Sequence, residues 1–419
     1  MILIKNVTII DPSSEWNGEK QDILIVEGFI KDIGTIAPNK AFTTIDRDDL
    51  LISPGWLDIG TQIGEPGYEH REDLNSVSAA AVAGGYTGLA CFPNTKPAIH
   101  SKSEVSFLKN HRGITDFYPI GALSIDCKGV DLAEIYDMTT AGAVAFSDGQ
   151  YAIQSAGLMK RGLEYLKGIN GLLINHPNDA TLAKGGQLHE GIVSTQLGMK
   201  GMPTLAETLM LKRDLDLLEY TASRLHVYNI SSKASLSLIK EAKGKKRAVT
   251  ASVSAMNLFY DHHRLAEFDV NYKLNPPLRT SEDCEALVEG LKEGAVDIVT
   301  SSHTPLEVEA KQLEFPYADF GIIGLETTYA LLNTQLNQQF SQSELVQILA
   351  IKPRKVLNLS IPVIAKGQKA NLTLFQPNRE WIFTGKDIFS KSTNTPFVGS
   401  SFKGKVAGVI NGDFSRFFN

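Results

Sequence analysis

Residues Ser76–Phe92 read SVSAAAVAGGYTGLACF: a helical stretch over Ser76–Ala83, a Gly84-Gly85 break, then the strand-like apolar run Gly88–Phe92. A helix leading through glycines into a short buried strand is half of a βαβ unit. The same texture recurs downstream. Ala143–Phe146, Leu172–Ile174, His226–Tyr228 and Asp297–Thr300 read as further strands. Ser155–Lys167, Thr204–Tyr220, Ala234–Lys243 and Ser281–Lys292 read as helices. Alternation sustained to about residue 350 predicts an α/β protein with a parallel sheet, and favours a (β/α)8 TIM-like barrel over an open doubly wound sheet. No GxGxxG or GxxxxGK[ST] fingerprint supports the open alternative.

Both ends of the chain change character. Ile2–Ile4, Val7–Ile10 and Ile23–Val26 are short β-branched runs punctuated by Asp11-Pro12-Ser13 and Glu27-Gly28, and Pro54-Gly55 marks a boundary. Asn371–Phe375 and Lys405–Ile410 return to this pattern, with Asn411-Gly412 as a turn. The expected organisation is a barrel over 53–360 and a small composite β-sandwich from 1–52 and 361–419, since domain termini often meet. Of 419 residues 43% are apolar and 21% charged, which excludes disorder as the main state. A formal charge of −6 leaves no electrostatic footprint for nucleic acid. Three cysteines without a CxxC pair argue against a disulfide framework and suit a cytoplasmic location. The weakly polar stretch Val77–Phe92 is interrupted by glycines and is shorter than the roughly 20 apolar residues a bilayer requires, so no membrane role is expected.

In such a barrel, chemistry sits where strands end. The polar residues there are Asp58, Gln62 and Glu65; Asn94; Ser147-Asp148; Asn175-His176; Tyr228-Asn229; and Ser301-Ser302-His303-Thr304. Asp148 and His176 suit an acid–imidazole pair, and His303 a general base. The competing readings are a helix N-cap for Asp148 and a satisfied core histidine for His176. His262-His263 reads as a solvated loop, and so do His70, His100, His111 and His189. The chain contains neither HxH nor HExxH.

Six segments, in order, carry a resemblance. They are Pro54–Asp58 with Glu65-Pro66-Gly67, Phe92–Pro97, Ala145–Asp148, Asn271–Arg279, Phe320–Glu326 and Asn394–Gly399. Together they resemble the dihydroorotases of the long, barrel-plus-β type in the amidohydrolase superfamily. The resemblance implies reversible cyclisation of carbamoyl aspartate to dihydroorotate in pyrimidine synthesis, with Zn²⁺ polarising the carbonyl and activating water. It also implies a homodimer and association with aspartate transcarbamoylase.

The metal positions carried over from that family depart from its pattern. The two histidines of its HxH fall on Gly60 and Gln62, a later histidine on Asn229, and its late aspartate on Ser302. Asp148 and His176 remain. The arginine that grips the substrate carboxylate falls on Gly64, and Pro-His-His becomes Ala255-Met256-Asn257. Asn94 and Asn275 are kept as expected substrate contacts. Zinc is bound by imidazole, thiolate and carboxylate, with three protein ligands in its catalytic sites. The expectation is therefore a non-catalytic homologue without a resident metal, a structural or regulatory partner of aspartate transcarbamoylase. Asp148, His176 and His303 are then vestigial candidates. The alternative is an active dihydroorotase, or a related cyclic-amide hydrolase, working from a reduced zinc site.

Overall fold

Gly84 and Gly85 turn the chain from the helix Leu74–Ala83 into the strand Tyr86–Cys91, and the corner tolerates no side chain. Gly85 has φ +89°, and a Cβ there would lie 2.6 Å from the Trp56 ring. The close approach lets the two strands that begin the barrel pack flush. The computed structural model describes residues 1–39 and 41–418.

In chain order the strands are β1 (Ile2–Ile9), β2 (Lys20–Val26), β3 (Phe29–Gly34), β4 (Thr43–Asp46), β5 (Leu51–Pro54), β6 (Trp56–Thr61), β7 (Tyr86–Cys91), β8 (Asp116–Gly121) and β9 (Ala145–Phe146). They continue with β10 (Leu173–Asn175), β11 (Leu188–His189), β12 (Gly201–Met202), β13 (Leu225–Val227), β14 (Val249–Ser254), β15 (Ile298–Thr300), β16 (Asn371–Ile382), β17 (Ser401–Asn411) and β18 (Phe414–Phe417). Eight of them form the barrel in the order β6-β7-β8-β9-β10-β13-β14-β15, every pair parallel. The (β/α)8 architecture expected from the sequence is present.

Closure brings β15 beside β6. Asp58, buried on β6, accepts the Ser301 N–H at 2.8 Å on one oxygen and the Ser301 hydroxyl at 2.7 Å on the other, while Thr61 Oγ1 donates at 2.6 Å. One turn higher, the Gln62 N–H donates to His303 O at 3.0 Å. The seam between β15 and β6 is thus held by one carboxylate and a backbone bond in place of a full ladder. Burial pushes the Asp58 pKa up, against the pull of these three donors.

The terminal segments meet in one eight-stranded sheet, ordered β18-β17-β16-β5-β1-β2-β3 with β4 on β1. Its alternate apolar residues, among them Ile4, Ile23, Ile52, Leu372 and Ile410, form a core separate from the barrel's. Only Gly55 divides β5 from β6, so the sheet hands the chain directly to the barrel. Thr373 Oγ1 donating to Gly85 O at 2.7 Å, and Thr87 Oγ1 to Asn371 Oδ1 at 2.7 Å, tie the two together. Among the described residues no helix is long and apolar enough to cross a membrane.

Five barrel strands lie within two residues of their expected positions; β6, β8 and β14 do not appear in the sequence reading. β6 replaces what reads as a loop after Pro54-Gly55. Two expectations for the histidines need correction. His189 and His262 are both buried, with ring centroids 5.3 Å apart, rather than solvated. The reason is the excursion carrying β11, the helix Ile192–Gln196 and β12, which folds over the short helix His262–Leu265.

Two stability predictions follow from these contacts. Asp58→Ala strands two hydroxyls and a backbone N–H in the seam, and is expected to cost about 3 kcal/mol by urea denaturation. His226, on β13, is fully buried with Nδ1 2.8 Å from Thr250 Oγ1, and burial depresses its pKa from 6.5 to about 3. Between those two values the unfolded chain binds a proton that the native state refuses. Its contribution is therefore complete above pH 6.5 and is lost as pH falls. The loss of urea midpoint between pH 7 and about pH 4.5 should shrink in His226→Leu.

Candidate functional site

At the carboxyl end of the barrel strands a cavity of about 590 Å³ opens, lined by residues at or after the ends of all eight barrel strands. Strand polarity puts these polar turns at one mouth, so residues distant in sequence converge there. Gly60, Gln62, Asn94, His176, Asn275 and Ser302 all line it.

Gly60 sits at an irregularity of the β6–β7 pairing with φ +88°. A Cβ at this position would lie 2.4 Å from the Tyr228 ring and 2.6 Å from its hydroxyl oxygen. The aromatic ring occupies the space into which a side chain at 60 would project, and its Oη donates to Gly60 O at 3.4 Å. Burial raises the Tyr228 pKa, and the Asp58 carboxylate adds to the rise, so the ring stays a neutral phenol.

Asn229, directly after Tyr228, gives Nδ2 to Ser302 Oγ at 2.8 Å and accepts Thr300 Oγ1 at 2.8 Å and Ser252 Oγ at 3.2 Å on Oδ1. Both Asn229 and Ser302 adopt left-handed backbone, φ +52° and +51°. Gln62 donates to Asn94 Oδ1 at 3.4 Å, and Asn94 in turn donates to Asp148 O at 3.0 Å and accepts the Gln150 N–H at 3.0 Å. These amides and hydroxyls of the mouth therefore hydrogen-bond one another as neutral pairs, and such a network supports its members mutually.

The three candidate catalytic residues do not converge. Asp148 is buried and turned toward the loop after β8, where its oxygens accept Ser124 N–H at 2.8 Å and Ser124 Oγ at 2.6 Å. Its burial raises its pKa more than these bonds lower it. The neighbouring Gly149, not Asp148, lines the cavity. His176 does face the cavity, with Nδ1 3.3 Å from Tyr228 O and Nε2 3.4 Å from Asn275 Oδ1. Burial lowers its pKa, which keeps the imidazole neutral. Asp148 and His176 form no ion pair, contrary to the expected arrangement.

His303 is fully buried beneath the mouth. Its Nε2 lies 3.3 Å from Glu72 Oε2 and its Nδ1 accepts the Gly324 N–H at 3.3 Å. Glu72 also takes the Ser390 and Ser76 hydroxyls and the Lys391 N–H. This histidine holds Gly324 directly and the Ser390 segment through Glu72, and it does not line the cavity, so the general-base reading is corrected. Tyr228 reads in the sequence as one more polar strand-end residue; what the sequence does not announce is that its ring fills the space beside Gly60.

The donor set does not fit a zinc ion. Of the six positions the resemblance assigns to metal ligands, four are a glycine, two amides and a hydroxyl, and the carboxylate of a fifth is engaged elsewhere. Among the described residues no group of three His, Cys, Asp or Glu side chains is placed to hold a metal. Neutral amides and alcohols bind Zn²⁺ far more weakly than imidazole or carboxylate.

The fold is a (β/α)8 barrel with a cavity at the strand C-termini and a β-sheet made by the chain ends. The model of the family described as dihydro-orotase-like matches residues 49–235. A dihydroorotase from Caldicellulosiruptor saccharolyticus is 39% identical over 417 residues, covering 98% of this chain and 97% of that protein. One from Thermoanaerobacter sp. (strain X514) is 39% identical over 411 residues, covering 97% and 94%. The chain belongs to the dihydroorotase family. Among solved structures it resembles the L-hydantoinase (dihydropyrimidinase) from Arthrobacter aurescens, with TM-score 0.86 at 21% identity over 100% of this chain and 97% of that one. The dihydropyrimidinase from Brevibacillus agri NCHU1002 aligns with TM-score 0.84 at 20% identity, over 100% and 95%. At such identities the likeness concerns the fold.

Gly60→His should lower stability by about 2–4 kcal/mol, because the new side chain meets Tyr228 and a positive φ disfavours any Cβ. Adding Tyr228→Ala should recover part of that loss, giving a non-additive double-mutant cycle by thermal denaturation.

Proposed function

We propose that this protein is a non-hydrolytic member of the dihydroorotase family, serving as a structural or regulatory subunit rather than as a zinc enzyme. One observation carries this reading: at the mouth of the barrel, Gly60, Gln62, Asn229 and Ser302 stand at the metal positions, and the last two bond each other and their neighbours. The carboxylate-gripping arginine is also replaced, by Gly64, whose added Cβ would meet Glu72 O at 2.3 Å, so that position admits no long side chain without rearrangement. Aspartate transcarbamoylase is the partner this reading puts forward, with self-association as a homodimer and a cytoplasmic location. The intact barrel supports it, since such folds are stabilised by strand interiors and helix faces rather than by the loops that carry ligands.

The relatives' name favours a second reading, an active dihydroorotase or related cyclic-amide hydrolase with His176 in a reduced zinc site. Elemental analysis and a dihydroorotate hydrolysis assay on the same preparation separate the two. The expected outcome is substoichiometric zinc and no turnover above the uncatalysed rate. Stoichiometric zinc with turnover abolished by His176→Ala would establish the enzyme. Co-purification with aspartate transcarbamoylase from cell extract tests the partner.

A further inference from the structure

The cavity's charge is unlike that of a site made for an anion. Three of its lining side chains are ionisable at neutral pH as charged groups: Arg71, Asp126 and Asp319. Arg71 Nη2 is committed to Glu307 Oε1 at 2.9 Å, and Asp126 is held by Lys128 at 2.8 Å and by His100 at 3.1 Å. The two nearby buried ammonium groups are spent on backbone. Lys273 Nζ donates to Phe315 O at 2.7 Å and Pro316 O at 3.2 Å, and Lys311 Nζ to Val270 O and Asp319 O, both at 2.8 Å. The Asp319 carboxylate lies close enough to favour the protonated form of both lysines, although neither of them bonds its side chain.

The rest of the polar lining is amide, hydroxyl and neutral imidazole. Asn257 lines the cavity, is almost wholly buried, and donates Nδ2 to Pro277 O at 3.0 Å. Its Oδ1 has no hydrogen-bond partner, so an acceptor in the wall is left waiting for a donor. Phe92 and Tyr228 supply an aromatic corner, ring centroids 4.8 Å apart at 71°. Moving a carboxylate into such a place without a cation is costly, whereas an uncharged amide edge exchanges hydrogen bonds with asparagine and glutamine at little loss.

We infer that the cavity binds an uncharged planar ring bearing adjacent amide N–H and C=O groups, and rejects the same ring when it carries a carboxylate. This ligand class rests on the non-hydrolytic reading and deepens it: the mouth has become a neutral recognition site. Its preference is set by the absence of a free cation among the described lining residues and by the amides of Gln62, Asn94, Asn257 and Asn275 in the wall.

Titration calorimetry with uracil and orotate is the test, because the two share a ring, differ by one carboxylate, and neither is a substrate for ring hydrolysis. Uracil is expected to bind at least tenfold more tightly. Gln62→Lys, which puts a cation into the lining, should narrow that ratio at least fivefold, and Asn257→Leu should weaken uracil at least fivefold. If Gln62→Lys does not fold, Thr304→Lys places a cation elsewhere on the lining with the same expectation. Orotate binding as tightly as uracil, no binding of either ring, or a ratio unmoved by the added cation overturns the inference. Turnover of dihydroorotate would instead overturn the non-hydrolytic reading, so the two failures are distinguishable.

Discussion

A buried carboxylate clasps the seam where this barrel closes. A cylinder of eight parallel strands must join its last strand to its first, and here Asp58 on β6 does so by accepting the backbone and hydroxyl of Ser301 at 2.8 and 2.7 Å. The position of Ser302, one residue further, follows from that clasp. So does the contact between Ser302 and Asn229, and with it the shape of the mouth. Strand closure and site geometry are therefore the same constraint. A carboxyl group buried this deeply is tolerated because three donors converge on it, which is the condition under which such groups persist in interiors.

With closure fixed, the mouth can change its chemistry without disturbing the frame. A metal centre needs several ligands that would repel or remain unsatisfied without the ion. Here the corresponding positions hold groups that complete one another: asparagine to serine, threonine to asparagine, glutamine to asparagine. The network has no formal charge to balance, so its cohesion is insensitive to metal supply and nearly insensitive to pH. His176 fits the same logic, since burial among Tyr228 and Asn275 favours its neutral form.

Much of the frame was legible in the sequence, because helix and strand periodicities survive without tertiary information. Ser281–Lys292 coincides with the observed helix, and Thr204–Tyr220 differs from it by one residue. The strands that escaped were those with weak signals. β8 carries Pro119, β14 alternates serine and threonine with small apolar residues, and β6 begins directly after a Pro-Gly turn. Side-chain direction was the harder problem. Asp148 and Gly149 are adjacent, and a strand end offers no periodicity to say which faces the cavity. His303 likewise reads as a mouth residue from position alone, although its ring is drawn under the surface by Glu72. Burial of His189 and His262 depended on the excursion that carries the first folding over the helix that carries the second, which no local pattern announces.

The glycine at 60 and the tyrosine at 228 constrain each other's replacement. With the aromatic ring in that space, no side chain enters at 60 by a single substitution without displacing it. A bulkier pair demands two changes, and either one alone passes through a less stable molecule: side chain against phenol in one order, an empty hole in the other. The pair therefore behaves as an interlock, in which each residue keeps the other from being exchanged alone.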